Sequence, residues 1–128
     1  MRPFLVTALI CGGALFAAES LASGPVYSVQ ECNHPRVRPT EIVFLCGDAG
    51  AYMQHIRWRR WGGSIAVGTG LYSEKTCVPS CAGGPIRRHQ ATIWLGNIGR
   101  CRGQGAKRFY RRAKVSGVRT QLPDLCPI

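Results

Sequence analysis

"HIRWRRWGG", residues 55–63, sets two tryptophans three positions apart, with arginines between and beside them. Read as a β-strand, its side chains alternate between two faces. Ile56 and Trp58 then share one side, and His55, Arg57 and Arg59 the other. The stretch before it, "EIVFLCGDAGAYMQ" (41–54), supplies a partner strand over 41–47 and a turn at "DAGA". Pairing Ile42 with Trp58 and Phe44 with Ile56 gathers Ile42, Phe44, Cys46, Ile56 and Trp58 on one face. Val43, Leu45, His55, Arg57 and Arg59 take the other. A slip of one residue would press the arginines against the apolar set, and burying unpaired charge costs more than the slip gains. In this register Glu41 faces Arg59, a cross-strand pair worth ~0.2–1 kcal/mol. Trp58 is expected in the core. Trp61 falls on the opposite face unless the chain bulges or bends, and Gly62-Gly63 directly after it favours a bend.

Working outward, strand-like runs recur between Gly, Pro and Ser clusters at 41–47, 52–61, 64–72, 90–98, 108–115 and, weakly, 118–122. No segment keeps a helical period over three turns. Short strands at this spacing predict an all-β domain: a small, disulfide-stapled, antiparallel β-sandwich or barrel of about six strands. With no repeat, linker or low-complexity tract, one domain is expected over 23–128. Between the strands, "EKTCVPSCAGGPIRRH" and "GRCRGQGAK" are turn-rich and cationic.

The N-terminal "MRPFLVTALICGGALFAAESLASG" carries Arg2, an apolar run and the small residues Ser20-Leu21-Ala22. It reads as a secretory signal peptide over 1–22, too short for a membrane span. Nothing later in the sequence is apolar enough to cross a bilayer. The seven cysteines support export independently. Cys11 leaves with the leader, and Cys32, Cys46, Cys77, Cys81, Cys101 and Cys126 remain. An even set in a small exported chain predicts three disulfides, among fifteen possible pairings. The formal net charge is +11, and losing Arg2 and Glu19 with the leader leaves it unchanged. Only Lys75, Lys107 and Lys114 among the cations are lysines. Arginine suits bidentate contacts to carboxylate and phosphate, although an arginine-rich genome would give the same excess.

In this order, "RPTEIVFLCGDAG", "IRWRRWGG", "AVGTG" and "CVPSCAGG" resemble the motifs of a family of small secreted actinobacterial proteins. Its pattern runs RP-x-x-I, C-x-D, W-x-x-W, A-x-G-x-G and C-x-P-x-C-A-x-G. The likeness covers residues 32–98. It implies architecture and export but no chemistry, since no activity is established for the family. It places Cys46, Asp48, Trp58, Trp61, Gly68, Gly70, Cys77, Pro79, Cys81 and Gly83 at framework positions. Cys101 and Cys126 are additions to the pattern, expected to bridge each other. The Cys46–Trp58 spacing also fits an immunoglobulin-like strand pair. Cys101, however, lacks the tyrosine two residues earlier, so only a sandwich-like architecture is taken from that spacing.

Acids and bases are few. His55 and Glu41 with the arginines could assemble a metal-independent ribonuclease, a proton-transfer pair with cations stabilising the transition state. Against this, Glu41 already has Arg59 to pair with. Asp48 is expected to fix its turn by accepting backbone N–H bonds. Cys77 and Cys81 have three residues between them, which is not the two-residue redox spacing. A zinc site with His89 is conceivable, but exported thiols oxidise, so disulfides are expected and no metal or cofactor. "KRFYRRAK" (107–114), as a strand, sets Arg108, Tyr110, Arg112 and Lys114 on one face, suited to tracking a polyanion.

The function expected is therefore a secreted, non-catalytic binding module for an anionic polymer or surface: wall teichoic acid, extracellular nucleic acid or acidic polysaccharide. Candidate ligand-binding residues are Arg57, Arg59, Arg60, Trp61, Arg108, Tyr110 and Arg112, with Arg111 and the Arg87-Arg88 segment adding charge. The alternatives are a small secreted hydrolase of ribonuclease type, or an inhibitor presenting the Cys77–Cys81 loop.

Overall fold

The computed structural model describes residues 24–128, and Gly13 alone before them. The leader expected over 1–22, with Cys11, otherwise lies outside the described residues. The described chain is all-β, as expected, with seven strands where about six were anticipated. They are β1 (Val26–Gln30), β2 (His34–Arg36), β3 (Ile42–Val43), β4 (Ala51–Arg60), β5 (Ala66–Lys75), β6 (Ile86–Arg100) and β7 (Arg108–Val115).

One sheet holds them all, in the order β2-β1-β7-β6-β5-β4-β3. Every neighbouring pair is antiparallel except β1 with β7, which run parallel. The sheet curls into a half-barrel, so that β1 and β3, distant in the order, come into contact. Residues on the inside of the curl form the core: Ile42, Phe44, Met53, Ile56, Ala66, Tyr72, Ile93, Leu95 and Val115, capped by Leu122 and Leu125 of the C-terminal tail. Each large aliphatic side chain buried this way contributes roughly 1.5–3 kcal/mol. A smaller cluster of Val29, Cys101 and Phe109 lies apart from it.

The gap where the half-barrel would otherwise stay open is stitched from both sides. Cys32, after β1, bonds to Cys46, after β3. The Trp61 indole N–H donates to the Val26 carbonyl at 3.0 Å, and the Ile128 N–H to that of Cys32 at 3.2 Å. The remaining bridges are Cys77–Cys81 and Cys101–Cys126, which settles the pairing. The closed loops of Cys32–Cys46 and Cys101–Cys126 span 14 and 25 residues, so each stabilises by roughly 3 kcal/mol if chain entropy dominates. With Cys77 and Cys81 bonded to each other, the thiolates a zinc site would need are consumed. Three disulfides suit an oxidising environment. No helix among the described residues is long and apolar enough to cross a membrane.

The expected hairpin register is corrected. Ile42 pairs with Met53 and Val43 with Tyr52, while Phe44 N–H reaches the Ala51 carbonyl at 2.8 Å. The reason is the turn, which these pairs centre between Gly47 and Asp48 and not at Gly50. Beyond the paired stretch β4 carries a β-bulge: His55 stands at φ 54°, and the β4–β5 register shifts between Gln54 and Arg57 and again between Trp58 and Arg60. Buried positions therefore run Ala51, Met53, then Ile56, and not in unbroken alternation. The sorting of the faces survives, with Ile42, Phe44 and Ile56 buried and Leu45, His55, Arg57 and Arg59 exposed; Cys46 is exposed, against expectation. Glu41 falls one step beyond Ile42, level with Gln54, and the anticipated pair with Arg59 does not form.

Two glycines accommodate the bulge. A Cβ at Gly70 would lie 2.7 Å from the Gln54 carbonyl oxygen, and one at Gly68 would lie 2.8 Å from the Trp58 ring. Asp48 does what was expected of it, its Oδ1 accepting from Gly50 N–H at 2.9 Å. The strand read over 118–122 is absent. That segment leaves β7 by a turn and crosses the barrel end as irregular chain, held where Leu125 N–H bonds the Arg111 carbonyl at 3.0 Å and Asp124 pairs with the Arg111 guanidinium.

Candidate polymer-binding face

The convex side of β4–β7 presents its residues in rows fixed by the strand register. Arg60 lies opposite Val67, Val67 opposite Trp94, and Trp94 opposite Lys114. The next row joins Arg57, Thr69 and Thr92, and the one after it Gln54, Leu71 and Gln90. Arg88 extends the face beyond Gln90, and Arg112, opposite Gly96, extends it the other way. Arg57, Arg60, Arg88, Trp94, Arg112 and Lys114 are exposed.

The acids are placed elsewhere. Asp124 is held by Arg111, Glu31 faces His34 at 3.6 Å, and Asp48 closes its turn. Glu74 points to the core side, accepting from the Tyr72 hydroxyl at 3.3 Å. Burial first, then the Glu74 charge, pushes the Tyr72 phenol up to about 12. Glu41 alone stands near the face, at its β3 margin. Among the described residues, no carboxylate oxygen lies within 4.0 Å of Arg57, Arg59, Arg60, Arg88, Arg112 or Lys114. A row of cations without counter-charges leaves a positive potential to be met from solution.

Within this face the bulge opens a groove of about 340 Å³ lined by His55, Arg57, Thr69, Gly70, Leu71 and Gln90. It offers a guanidinium, an imidazole, a hydroxyl and an amide around one concavity, donors suited to an oxyanion.

No protein-family model matches the chain, and no curated protein or solved structure matches it.

The residues singled out in the sequence divide into two groups. Arg57, Arg59 and Arg60 on β4 and Arg112 on β7 are exposed. The other three are held by the fold. Trp61 is half-buried, its ring edge-on to Trp58 at 4.7 Å and to Tyr110 at 5.2 Å. Tyr110, expected on the outer face, is fully buried. Its hydroxyl accepts from Gly62 N–H at 2.9 Å and donates to the Gly63 carbonyl at 2.6 Å, and burial raises its pKa. It is a packing residue and offers no ring to a ligand. Arg108 is partly buried, and its guanidinium donates to the Gly24 carbonyl at 2.6 Å. Arg111 is occupied by Asp124, while Arg87 and Arg88 belong to β6 itself and not to a loop.

Trp94 and Lys114 were missing from the ligand-binding candidates. The signal for Trp94 was present in "QATIWLGNI", where Ala91, Ile93 and Leu95 alternate with Gln90, Thr92 and Trp94. That period sets a tryptophan on the polar side of its strand.

Proposed function

We propose that this chain is an exported binding module for an anionic extracellular polymer, held on the convex face of β4–β7. The observation that carries the reading is the exposed set Arg57, Arg60, Arg88, Arg112 and Lys114, aligned by strand register and without carboxylate partners within 4.0 Å. Surface cations on a folded domain usually sit among acids, and their segregation here favours an anionic partner over simple solubility. Export rests on the leader-like sequence over 1–22 and on disulfides suited to an oxidising compartment. The motif order shared with small secreted actinobacterial proteins fits the same reading, with the cell envelope as the nearest polyanion.

The test is co-sedimentation of the oxidised mature chain with washed bacterial envelope across a salt series. Retention at low salt that falls steeply as salt rises is expected, with the Arg57→Ala, Arg59→Ala, Arg60→Ala triple variant released at clearly lower salt. An equal salt response in the triple variant would overturn the placement of the site. Hydrolysis of the polymer, abolished by His55→Ala, would replace binding with the hydrolase alternative.

A further inference from the structure

Resting on that reading, we infer that the polymer this face takes is a single-stranded polynucleotide. Trp94 serves as the platform on which a base stacks, and the groove at His55 and Arg57 receives the phosphate chain beside it.

Trp94 differs from its neighbours on β6. The residue is 37% exposed on the polar side of β6, while its sequence neighbours Ile93 and Leu95 are fully buried. A tryptophan with more than a third of its surface open on a central strand offers that part to a flat partner. Space for that partner is built in. The next residue on the same side of β6 is Gly96, where a Cβ would find nothing nearer than the Ser64 carbonyl oxygen at 3.9 Å. Lys114 lies directly across from Trp94, and Arg112 across from Gly96, so the platform is bordered by cations. An aromatic ring bordered by cations on a sheet surface matches what a nucleotide of a single strand requires: a π-face for its base and positive charge for its backbone.

The rest of the face selects among polyanions. A sugar chain presents hydroxyls that need acceptors as well as donors. Here the charged side chains are donors, and acceptors are limited to Thr69, Thr92, Gln54 and Gln90, with Glu41 at the margin. A polyol phosphate supplies anions but no flat face for Trp94. A polynucleotide supplies both. From Trp94 the rows step along β6 to Thr92 and Gln90 at roughly 7 Å per row, a stride on the scale of an extended nucleotide. Arg57 stands in the first of these rows and Gln90 in the second, where the groove opens. The His55 bulge makes this concavity. A non-glycine residue at φ 54° in an exposed strand keeps a costly conformation that re-aims two ligand-competent side chains.

The test uses the oxidised mature chain and three probes at one ionic strength: an oligothymidylate of about ten nucleotides, inorganic polyphosphate and a sulfated polysaccharide. The oligothymidylate is expected to quench tryptophan fluorescence and to bind more tightly than polyphosphate of equal charge. Trp94→Ala should weaken oligothymidylate binding about 5- to 100-fold, leaving polyphosphate binding unchanged. Trp94→Phe should keep most of the affinity, which separates stacking from any loss of folding. Equal affinity for all three probes with no effect of Trp94→Ala would overturn the inference and leave the polyanion module standing. Loss of sulfated-polysaccharide binding in Trp94→Ala, without an oligothymidylate preference, would overturn it in favour of a sugar. Failure to bind any probe would overturn both.

Discussion

His55 and Asn97 are the two non-glycine residues within strands that take a left-handed backbone, and at His55 the outer face acquires depth. A non-glycine residue in the left-handed region costs roughly 1–2 kcal/mol, since its Cβ crowds the backbone. Histidine tolerates that region better than a β-branched residue does. His55→Gly is therefore expected to leave thermal stability unchanged or raise it slightly, and His55→Val to lower it by about 1–2 kcal/mol beyond any change in surface polarity. Chemical denaturation of the two variants checks this, and a His55→Val protein as stable as the parent would contradict the backbone assignment. Trp61 shows the same dependence on local irregularity. Strict alternation sends it outward. The second register shift, between Trp58 and Arg60, returns it to the Trp58 side, where its N–H closes on Val26. Gly62 then turns the chain at φ 89°.

At the scale of elements, β4 and β5 act as one unit because Gly68 and Gly70 let the bulged strand approach. Adding a methyl at Gly70 drives Cβ to 2.7 Å from a backbone oxygen that no side-chain rotation can move. Gly70→Ala is expected to cost about 1–3 kcal/mol and to close or distort the His55–Arg57 groove. Gly47→Ala, where a Cβ would meet nothing within 4 Å, should cost far less. Paired denaturation curves decide between these. Much of this level was legible in the sequence. The positions of β4, β6 and β7, the turn at Asp48 and the sorting of Ile42, Phe44 and Ile56 from the arginines follow from alternation and turn chemistry. Three features did not follow. The hairpin register depends on a turn centred between Gly47 and Asp48, and the bulge beyond it on a left-handed histidine, a conformation that sequence alone does not announce. β1 and β2 escaped because "VYSVQ" and "HPR" are short, one with two polar residues and the other with a proline. The run at 118–122 looked like a strand only because Val118 and Leu122 are apolar. They pack on the core without any strand partner.

At the scale of the whole molecule, the half-barrel separates tasks. Its inside and tail hold the core, its gap is stitched by Cys32–Cys46, Trp61 and the C-terminal residue, and its convex face carries cations and one open tryptophan. Composition disclosed the charge but not its arrangement. Net charge cannot tell a scattered excess from a ligand face, and the register that aligns Arg60, Trp94 and Lys114 is a property of the folded sheet. The central claim is that location, and not total charge, governs binding. It is tested most directly by measuring the slope of log affinity against log salt for oligothymidylate and for polyphosphate. The parent is compared with Arg57→Ala, Arg60→Ala, Arg112→Ala on the face and with Arg36→Ala on β2 and Arg100→Ala, Arg102→Ala at the far end of β6, three exposed arginines away from it. Both triples remove the same charge. The first is expected to flatten the slope by about two to three counterions and the second to leave it nearly unchanged. Equal losses in the two would contradict the account and reduce the chain's attraction for polyanions to its net charge.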